Sequence, residues 1–153
     1  MPGVPTVRQL LITIGLCLAT TLTSAAMAQQ MVSVKVNSLN MRTGPSTRTG
    51  VLWELKRGYP LKVLKRQRSW LQVRDFEGDT GWVSRSLTGR TPYHIVKSRV
   101  ANIRKGPSTR NRIVGSAEYG DLLRTREKRR DWVRVQTTDG KSGWIARRLL
   151  WGW

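Results

Sequence analysis

The sequence predicts an all-β protein: two tandem small β-barrels that follow an N-terminal signal peptide. Three observations lead to this prediction. The first 28 residues differ in composition from the rest, a set of rare residue types recurs at a constant offset of 62 positions, and short apolar runs alternate with polar residues between turn-forming segments. Alternation with a period of two is typical of half-buried β-strands.

The first 28 residues are typical of a secretory signal peptide. Arg8 is their only charged side chain, an apolar run covers Leu10–Leu22, and the small-residue pattern Ala26–Ala28 closes the segment. This order of features marks a cleavable export signal. The apolar run is shorter than the roughly 20 residues that span a bilayer. Cleavage after residue 28 is therefore expected, with no transmembrane segment left afterwards. The alternative is retention of the segment as a membrane anchor.

The remaining chain repeats itself without a gap. Asn40–Arg48 aligns with Asn102–Arg110, position by position. Further identities follow at the same offset, among them Gly58/Gly120, Trp70/Trp132, Gly81/Gly143 and Trp82/Trp144. Stacked repeat arrays need at least about three repeats, so each of these two units must bury its own core. We predict domains at residues 32–88 and 96–150, joined by a linker at 89–95.

Alternation and turn chemistry predict five or six strands in each unit. Leu71 and Val73 alternate with polar neighbours, and Val133 and Val135 do the same in the second unit. Gly-containing segments separate such runs, and Asp139-Gly140 is a favoured pair for a tight hairpin. A small closed barrel suits a domain of this size because it leaves few bare strand edges.

The order of motifs resembles the bacterial SH3 (SH3b) domain family. The resemblance rests on Leu39–Ser46, then Leu55–Gly58, Trp70–Val73 and Gly81–Val83, and the second unit carries the same pattern. It implies two SH3-like barrels of a kind frequent on exported cell-wall proteins, many of which hold a protein at peptidoglycan. The shared pattern marks the fold and does not identify a ligand.

The charge of the chain favours an anionic partner. The chain has 28 basic and 9 acidic residues, a net charge of +19. Loss of Arg8 with the signal peptide leaves 27 basic residues against 9 acidic ones, or +18. Such an excess attracts polyanions and anionic surfaces, although a solvated, solubilising surface is an equally good explanation. Nucleic acid would also be attracted, but export argues against it.

Two groups of basic residues are candidate ligand contacts. Arginines flank the Gly-Pro-Ser segment of each unit, and the second unit carries a basic triplet before a tryptophan strand. A guanidinium group matches carboxylate or phosphate through two parallel hydrogen bonds. The alternatives are a rigid turn with arginine stems packed on the barrel, and a solvated loop. The candidates are Arg42, Arg48, Arg104, Arg110, Lys128, Arg129 and Arg130.

Two aromatic residues are candidates because the repeat does not require them. Trp53 aligns with Gly115, and Tyr59 aligns with Asp121. Aromatic faces can stack on sugar rings or peptide groups. The tryptophans that recur in both units are expected to pack instead, because large aromatic residues dominate small cores.

The sequence offers no catalytic set, so we expect a protein that is not an enzyme. Cys17 is the only cysteine and lies in the signal peptide, and His94 is the only histidine and falls in the predicted linker. The carboxylates Glu77 and Asp79 are not repeated as a pair in the second unit. No metal site and no cofactor are predicted.

These observations predict an exported, non-enzymatic module of the periplasm or the cell-envelope surface. The expected partner is the cell wall, with peptidoglycan favoured, or another anionic envelope component. One alternative is an adaptor that binds an envelope protein. The other is a polyanion binder that acts through charge alone.

Overall fold

The computed structural model describes residues 30–153, and the predicted signal peptide lies outside the described residues. Within that range the chain forms fourteen β-strands and two short 3-10 helices. None of the helices in residues 30–153 is long and apolar enough to cross a membrane. The prediction of an all-β chain made of two tandem barrels is confirmed.

The first unit contains seven strands and one 3-10 helix. They are β1 (Met31–Val34), β2 (Ser38–Arg42), β3 (Val51–Lys56), β4 (Pro60–Gln67), β5 (Trp70–Arg74), β6 (Thr80–Ser84), η1 (Arg85–Leu87) and β7 (Thr88–Gly89).

The second unit follows the same plan. Its elements are β8 (Tyr93–Val96), β9 (Val100–Arg104), β10 (Ile113–Glu118), β11 (Leu122–Arg129), β12 (Trp132–Gln136), β13 (Ser142–Ala146), η2 (Arg147–Leu149) and β14 (Leu150–Gly152). Every element begins 62 residues after its counterpart. Seven strands per unit exceed the five or six predicted, because β7 and β14 are too short to show alternation.

Each unit is one antiparallel sheet around its own core. The strand order is β3-β2-β6-β5-β4-β1-β7 in the first unit and β10-β9-β13-β12-β11-β8-β14 in the second. The first core is made of nine buried residues that include Leu39, Met41 and Val73, and the second of nine that include Ile103 and Val135. The alternating apolar positions of the sequence thus form the inner faces of the two sheets.

The connection between the units is shorter than the predicted linker at 89–95. Gly89 pairs with Ser33 in the sheet, and Tyr93 opens β8, so only residues 90–92 connect the strands. His94 is therefore not a linker residue. It lies in β8 with 2% of its surface exposed, and its Nδ1 is 2.6 Å from the hydroxyl of Thr125.

Hydrogen bonds hold both ends of the connection, and the ring of Tyr93 packs against the first unit. The Ser33 hydroxyl donates to the carbonyl of Thr91 (2.7 Å), and the Thr125 amide donates to the carbonyl of Pro92 (3.0 Å). The ring of Tyr93 lies directly against Gly58 of the first unit, where an added Cβ would lie 2.7 Å from Cε1 of that ring. Contacts at the connection and between the units therefore position one barrel against the other.

Candidate functional site

The Gly-Pro-Ser loops (residues 43–50 and 105–112) are braced by the arginines that precede them. Nη1 of Arg42 donates to the carbonyls of Thr47 (3.1 Å) and Thr49 (2.8 Å). Arg104 repeats this arrangement with the carbonyls of Thr109 and Asn111, both at 2.9 Å. The structure therefore places Arg42 and Arg104 as supports of the loop backbone. This matches the structural alternative more closely than the ligand contact.

Arg48 and Arg110, the other two loop arginines, are oriented differently. Their backbone amides donate to the hydroxyls of Ser46 (3.1 Å) and Ser108 (3.2 Å), and both residues are exposed. These two side chains remain available to an anionic ligand. The loop arginines thus separate into an inner pair that builds the loop and an outer pair that faces solvent.

Trp53 lies in an open groove on the first unit. The groove has a volume of about 440 Å³ and is lined by Leu52, Trp53, Gly78, Asp79 and Thr80; we call it the Trp53 groove. The indole is 51% exposed, and its Nε1 donates to Oδ2 of Asp79 at 3.0 Å. That hydrogen bond holds the ring while about half of its surface stays accessible. Gly115 and Lys141 occupy the equivalent positions of the second unit, so this pairing is confined to the first.

Tyr59 belongs to the contact between the units. It is half-buried against the first core, and its ring centroid is 6.2 Å from that of Phe76. Phe76 in turn lies 5.3 Å from Tyr119 of the second unit, whose hydroxyl donates to Glu77. Burial, and then the nearby Asp75 and Glu77 carboxylates, raise the pKa of Tyr59. The structure therefore places Tyr59 in an aromatic row that joins the units, and Tyr59 is not among the residues that line the Trp53 groove.

The sequence contained a signal for this aromatic row that residue-by-residue interpretation missed. Phe76 aligns with Thr138 and Tyr119 aligns with Arg57, so neither aromatic residue is required by the repeat. The same test had singled out Trp53 and Tyr59. Applied to every aromatic residue, it would have selected Phe76 and Tyr119 as well.

The basic triplet of the second unit forms the tip of the β11–β12 hairpin. Lys128, Arg129 and Arg130 are all exposed. Arg129 pairs with Glu127 (2.6 Å) and lies 5.3 Å from the ring centroid of Trp144, so its guanidinium group is partly engaged. Arg130 has a φ of 42°, and Arg68 has a φ of 51° at the equivalent tip. Each barrel thus presents an arginine in a left-handed conformation that ordinary side chains adopt only at a cost.

An acidic turn joins β5 to β6. Asp75, Glu77 and Asp79 each place one carboxylate oxygen within 4.8 Å of the others. Asp75 is buried, and its Oδ1 accepts from the amides of Glu77 (3.0 Å) and Asp79 (2.9 Å). Burial raises the pKa of Asp75, although these hydrogen bonds oppose the shift. Three oxygens are fewer than the six to eight that Ca²⁺ takes, so the carboxylate of Asp75 is explained by the turn it builds.

Family models match both units. One model described as "Bacterial SH3 domain" matches residues 35–89, and a second with the same description matches residues 99–150. The chain is also 24% identical over 137 residues to a Bacillus subtilis (strain 168) protein whose provisional name is N-acetylmuramoyl-L-alanine amidase YrvJ. That match covers 82% of the chain and 26% of the relative, so the chain spans about a quarter of the relative's length.

Two solved structures align with part of this chain at low identity. NlpC2 from Trichomonas vaginalis aligns with a TM-score of 0.37 and 16% identity over 80% of this chain and 48% of its own. An NlpC/P60 family protein from Bacillus cereus ATCC 10987 aligns with a TM-score of 0.38 and 13% identity over 80% of this chain and 56% of its own.

Proposed function

Because the chain belongs to the bacterial SH3 domain family and carries two such domains in tandem, we propose that it is a non-enzymatic, exported binding module of the cell envelope with peptidoglycan as its ligand. The observation that carries the proposal is the Trp53 groove. It offers a fixed, exposed aromatic face at a position where the fold itself requires no side chain, as Gly115 demonstrates.

The chemistry of the Trp53 groove suits a ligand with both ring and amide character. An indole provides a large apolar face, and its N–H is usually satisfied by a partner. Here Asp79 supplies that partner, so the ring is held in place before a ligand arrives. A preorganised face loses little side-chain entropy on binding. Sugar rings and peptide groups, the two components of peptidoglycan, can both stack on such a face.

The distribution of charge supports an anionic ligand. Residues 30–153 contain 27 basic and 9 acidic residues. Exposed cations lie on a loop of each unit and at the β11–β12 hairpin, among them Arg48, Arg110, Lys128 and Arg130. The carboxylates of a peptidoglycan network would be attracted to this surface, and added salt would screen the attraction.

The proposed absence of catalysis rests on the groups within the described residues. His94 is their single histidine, and it is buried in β8 beside the hydroxyl of Thr125. A buried imidazole engaged in this way is poorly placed to act on a substrate. The provisional amidase name belongs to a relative about four times as long as the matched region, and it supports a cell-wall setting for this chain.

Pelleting with purified peptidoglycan sacculi tests the proposal. We expect the chain to sediment with sacculi at low ionic strength, and the bound fraction to fall as salt rises towards about 1 M, where the Debye length is ~3 Å. Polyglutamate in solution serves as a control: complete competition by this polyanion would favour binding through charge alone. Failure to pellet at low salt would contradict the proposal.

A second candidate function is an adaptor for an envelope protein. The observation that favours it is an exposed apolar pair at the start of the same strand in both units: Val51 and Leu52, and Ile113 and Val114. Apolar surface of this kind is enriched where proteins bind partners. Affinity capture from an envelope extract would decide, since recovery of wall fragments without any protein would argue against an adaptor.

A further inference from the structure

A small cavity in the first unit carries positive charge that the fold does not use. It has a volume of about 210 Å³ and lies where β4, η1 and the end of β7 come together. Arg66, Arg85 and Arg90 line it, and no acidic side chain is among its lining residues. We call it the three-arginine cavity.

The acidic residues of the first unit lie elsewhere. Glu54 is on β3, where it accepts from the hydroxyl of Ser38 at 2.6 Å. The other three acidic residues form the β5–β6 turn. Leu71, at the start of β5, lines the cavity, and Asp75 follows four residues later, about 13 Å along an extended strand. The charge of the three arginines is therefore not neutralised inside the cavity.

Local contacts hold the cavity in shape. Arg66 pairs with Leu71 in the β4–β5 ladder, and its guanidinium group donates to the side-chain carbonyl of Gln30. The backbone amide of Arg85 donates to the carbonyl of Ser69 at 2.8 Å. Gly89 pairs with Ser33 on β1, which positions Arg90 immediately after the strand. Three cations are thus attached to three different elements whose backbones are tied together.

The second unit has lost part of this arrangement. Gly152 stands at the position of Arg90, and Trp151 stands at the position of Gly89. The equivalent surface therefore has one cation fewer and carries an indole that the first unit lacks.

We propose that the three-arginine cavity binds the carboxylate end of a short peptide. All three arginines are exposed, so solvent screens their mutual repulsion, and what they offer an anion is three hydrogen-bonding cations around one cavity. Guanidinium groups bind carboxylates through paired hydrogen bonds and are weakly hydrated, so they release water readily. Val32 and Leu71 also line the cavity, but they are 6% and 1% exposed, so the apolar part of its wall is supplied by the alkyl stems of the arginines. A small alkyl side chain next to a carboxylate would contact those stems, whereas a free phosphate would not.

The inference rests on the proposed function, because stem peptides of a peptidoglycan ligand would supply such carboxylates. It has its own test. Acetyl-alanyl-alanine with a free carboxylate would be titrated into the ¹⁵N-labelled chain, beside the same dipeptide with an amidated end and inorganic phosphate. We expect the free acid to shift the amide resonances of Gly89 and Arg90, and the amidated dipeptide to leave them unchanged. Phosphate should bind more weakly than the acid.

Substitutions of single arginines test whether the free acid binds in the three-arginine cavity. Arg85→Gln and Arg90→Gln should each weaken binding of the free acid about tenfold, the loss expected for one charged hydrogen-bonding group. Arg74→Gln makes the same change of charge at an exposed position at the other end of β5 and should leave the affinity unchanged.

Three results would overturn the inference: no binding of the free acid, equal binding of the amidated dipeptide, or an equal loss in Arg74→Gln. Tighter binding of phosphate would replace the carboxylate with a general anion site and would also overturn it. If the unsubstituted chain pellets with sacculi but does not bind the dipeptide, the proposed function stands while this inference fails.

Discussion

The first unit presents an indole at Trp53 where the second unit has Gly115, although the strands that hold them, β3 and β10, have the same length and the same irregular register. Asp79, which fixes that indole, is Lys141 in the second unit. The same backbone thus carries an aromatic groove on one barrel and none on the other. We conclude that the two barrels share a scaffold and differ in the surface that each offers to a ligand.

The residues that are identical in the two units stand at positions where the fold of the backbone requires them. Gly81 and Gly143 lie beneath the side chains of Met41 and Ile103, and Arg42 and Arg104 brace equivalent loops. The positions that change lie on the surface, at the connection or in one polar core pair. These are Trp53/Gly115, Tyr59/Asp121, Asp79/Lys141, Gly89/Trp151 and Val32/His94. Substitutions at the two classes should therefore behave differently.

The largest loss of stability is expected when either of the constant glycines, Gly81 or Gly143, is replaced. In Gly81→Ala the new Cβ would lie 2.6 Å from Cγ of Met41 and 2.9 Å from the carbonyl oxygen of Arg42. Gly143→Ala would meet Ile103 and, at 2.8 Å, the carbonyl oxygen of Arg104. We expect each variant to lose about 3 kcal/mol in the free energy of unfolding, measured by urea denaturation.

Gly115→Ala is the matched control for the constant glycines. Its Cβ would contact only Ile103, at an ordinary 3.8 Å. We expect a change within about 0.5 kcal/mol. Equal losses in the control and in Gly143→Ala would show that the close contacts do not explain why glycine recurs at both positions.

A smaller loss of stability, confined to the second barrel, is expected when His94 is protonated. Burial lowers the pKa of His94 to about 4 from an ordinary value near 6.5. Because the folded pKa lies below the unfolded one, the unfolded chain binds the proton more readily. The contribution of His94 is therefore fully present above pH 6.5 and is lost as the pH falls towards 4. Linkage gives a loss of roughly 2–3 kcal/mol near pH 4.5.

The first unit suggests the control for this titration. Val32 and Val63 stand where the second unit has His94 and Thr125. The double variant His94→Val/Thr125→Val should therefore remove this part of the pH dependence while keeping the volume of the pair similar. Calorimetry between pH 4.5 and 7 would measure it, and an unchanged pH profile in the double variant would exclude His94 as its source.

The smallest effect is expected at the loop arginines. Arg42→Met removes the hydrogen bonds to the carbonyls of Thr47 and Thr49. We expect a loss of about 1 kcal/mol in unfolding free energy and faster amide exchange in the loop. Arg48→Met should leave both nearly unchanged, since its side chain is exposed. The opposite order would contradict the role of Arg42 as a support of the loop backbone.

The strands could be predicted from the sequence because the 62-residue repeat and the period-two alternation indicate the same strands in both units. The start of the second unit was missed because Tyr93 and His94 hide the alternation of β8, although His94 aligns with Val32 of β1. The repeat, extended by three residues, would have placed His94 in a strand.

The site was less predictable than the strands. The repeat singled out Trp53, and the structure places this residue exposed in a groove. Of the recurring tryptophans, which were expected to pack, Trp144 is buried and the other three are half-buried outside the two core clusters. The repeat could not show that Arg42 turns back onto its own loop, because a long side chain has many targets within reach. Nor could it show that Tyr59 meets the second unit, since the relative orientation of the barrels is absent from any local pattern. The three-arginine cavity was missed because its cations come from distant segments.

The most direct measurement is the fraction of Trp53→Gly that pellets with sacculi at low salt. The substitution gives the first unit the residue of the second without changing net charge. Val114→Ala, which shortens an exposed apolar residue on the second unit, is the control. We predict a loss of about tenfold in affinity for Trp53→Gly, within the range for an aromatic contact residue, and none for the control. Equal pelleting of Trp53→Gly and the unsubstituted chain would contradict the assignment of binding to the first barrel.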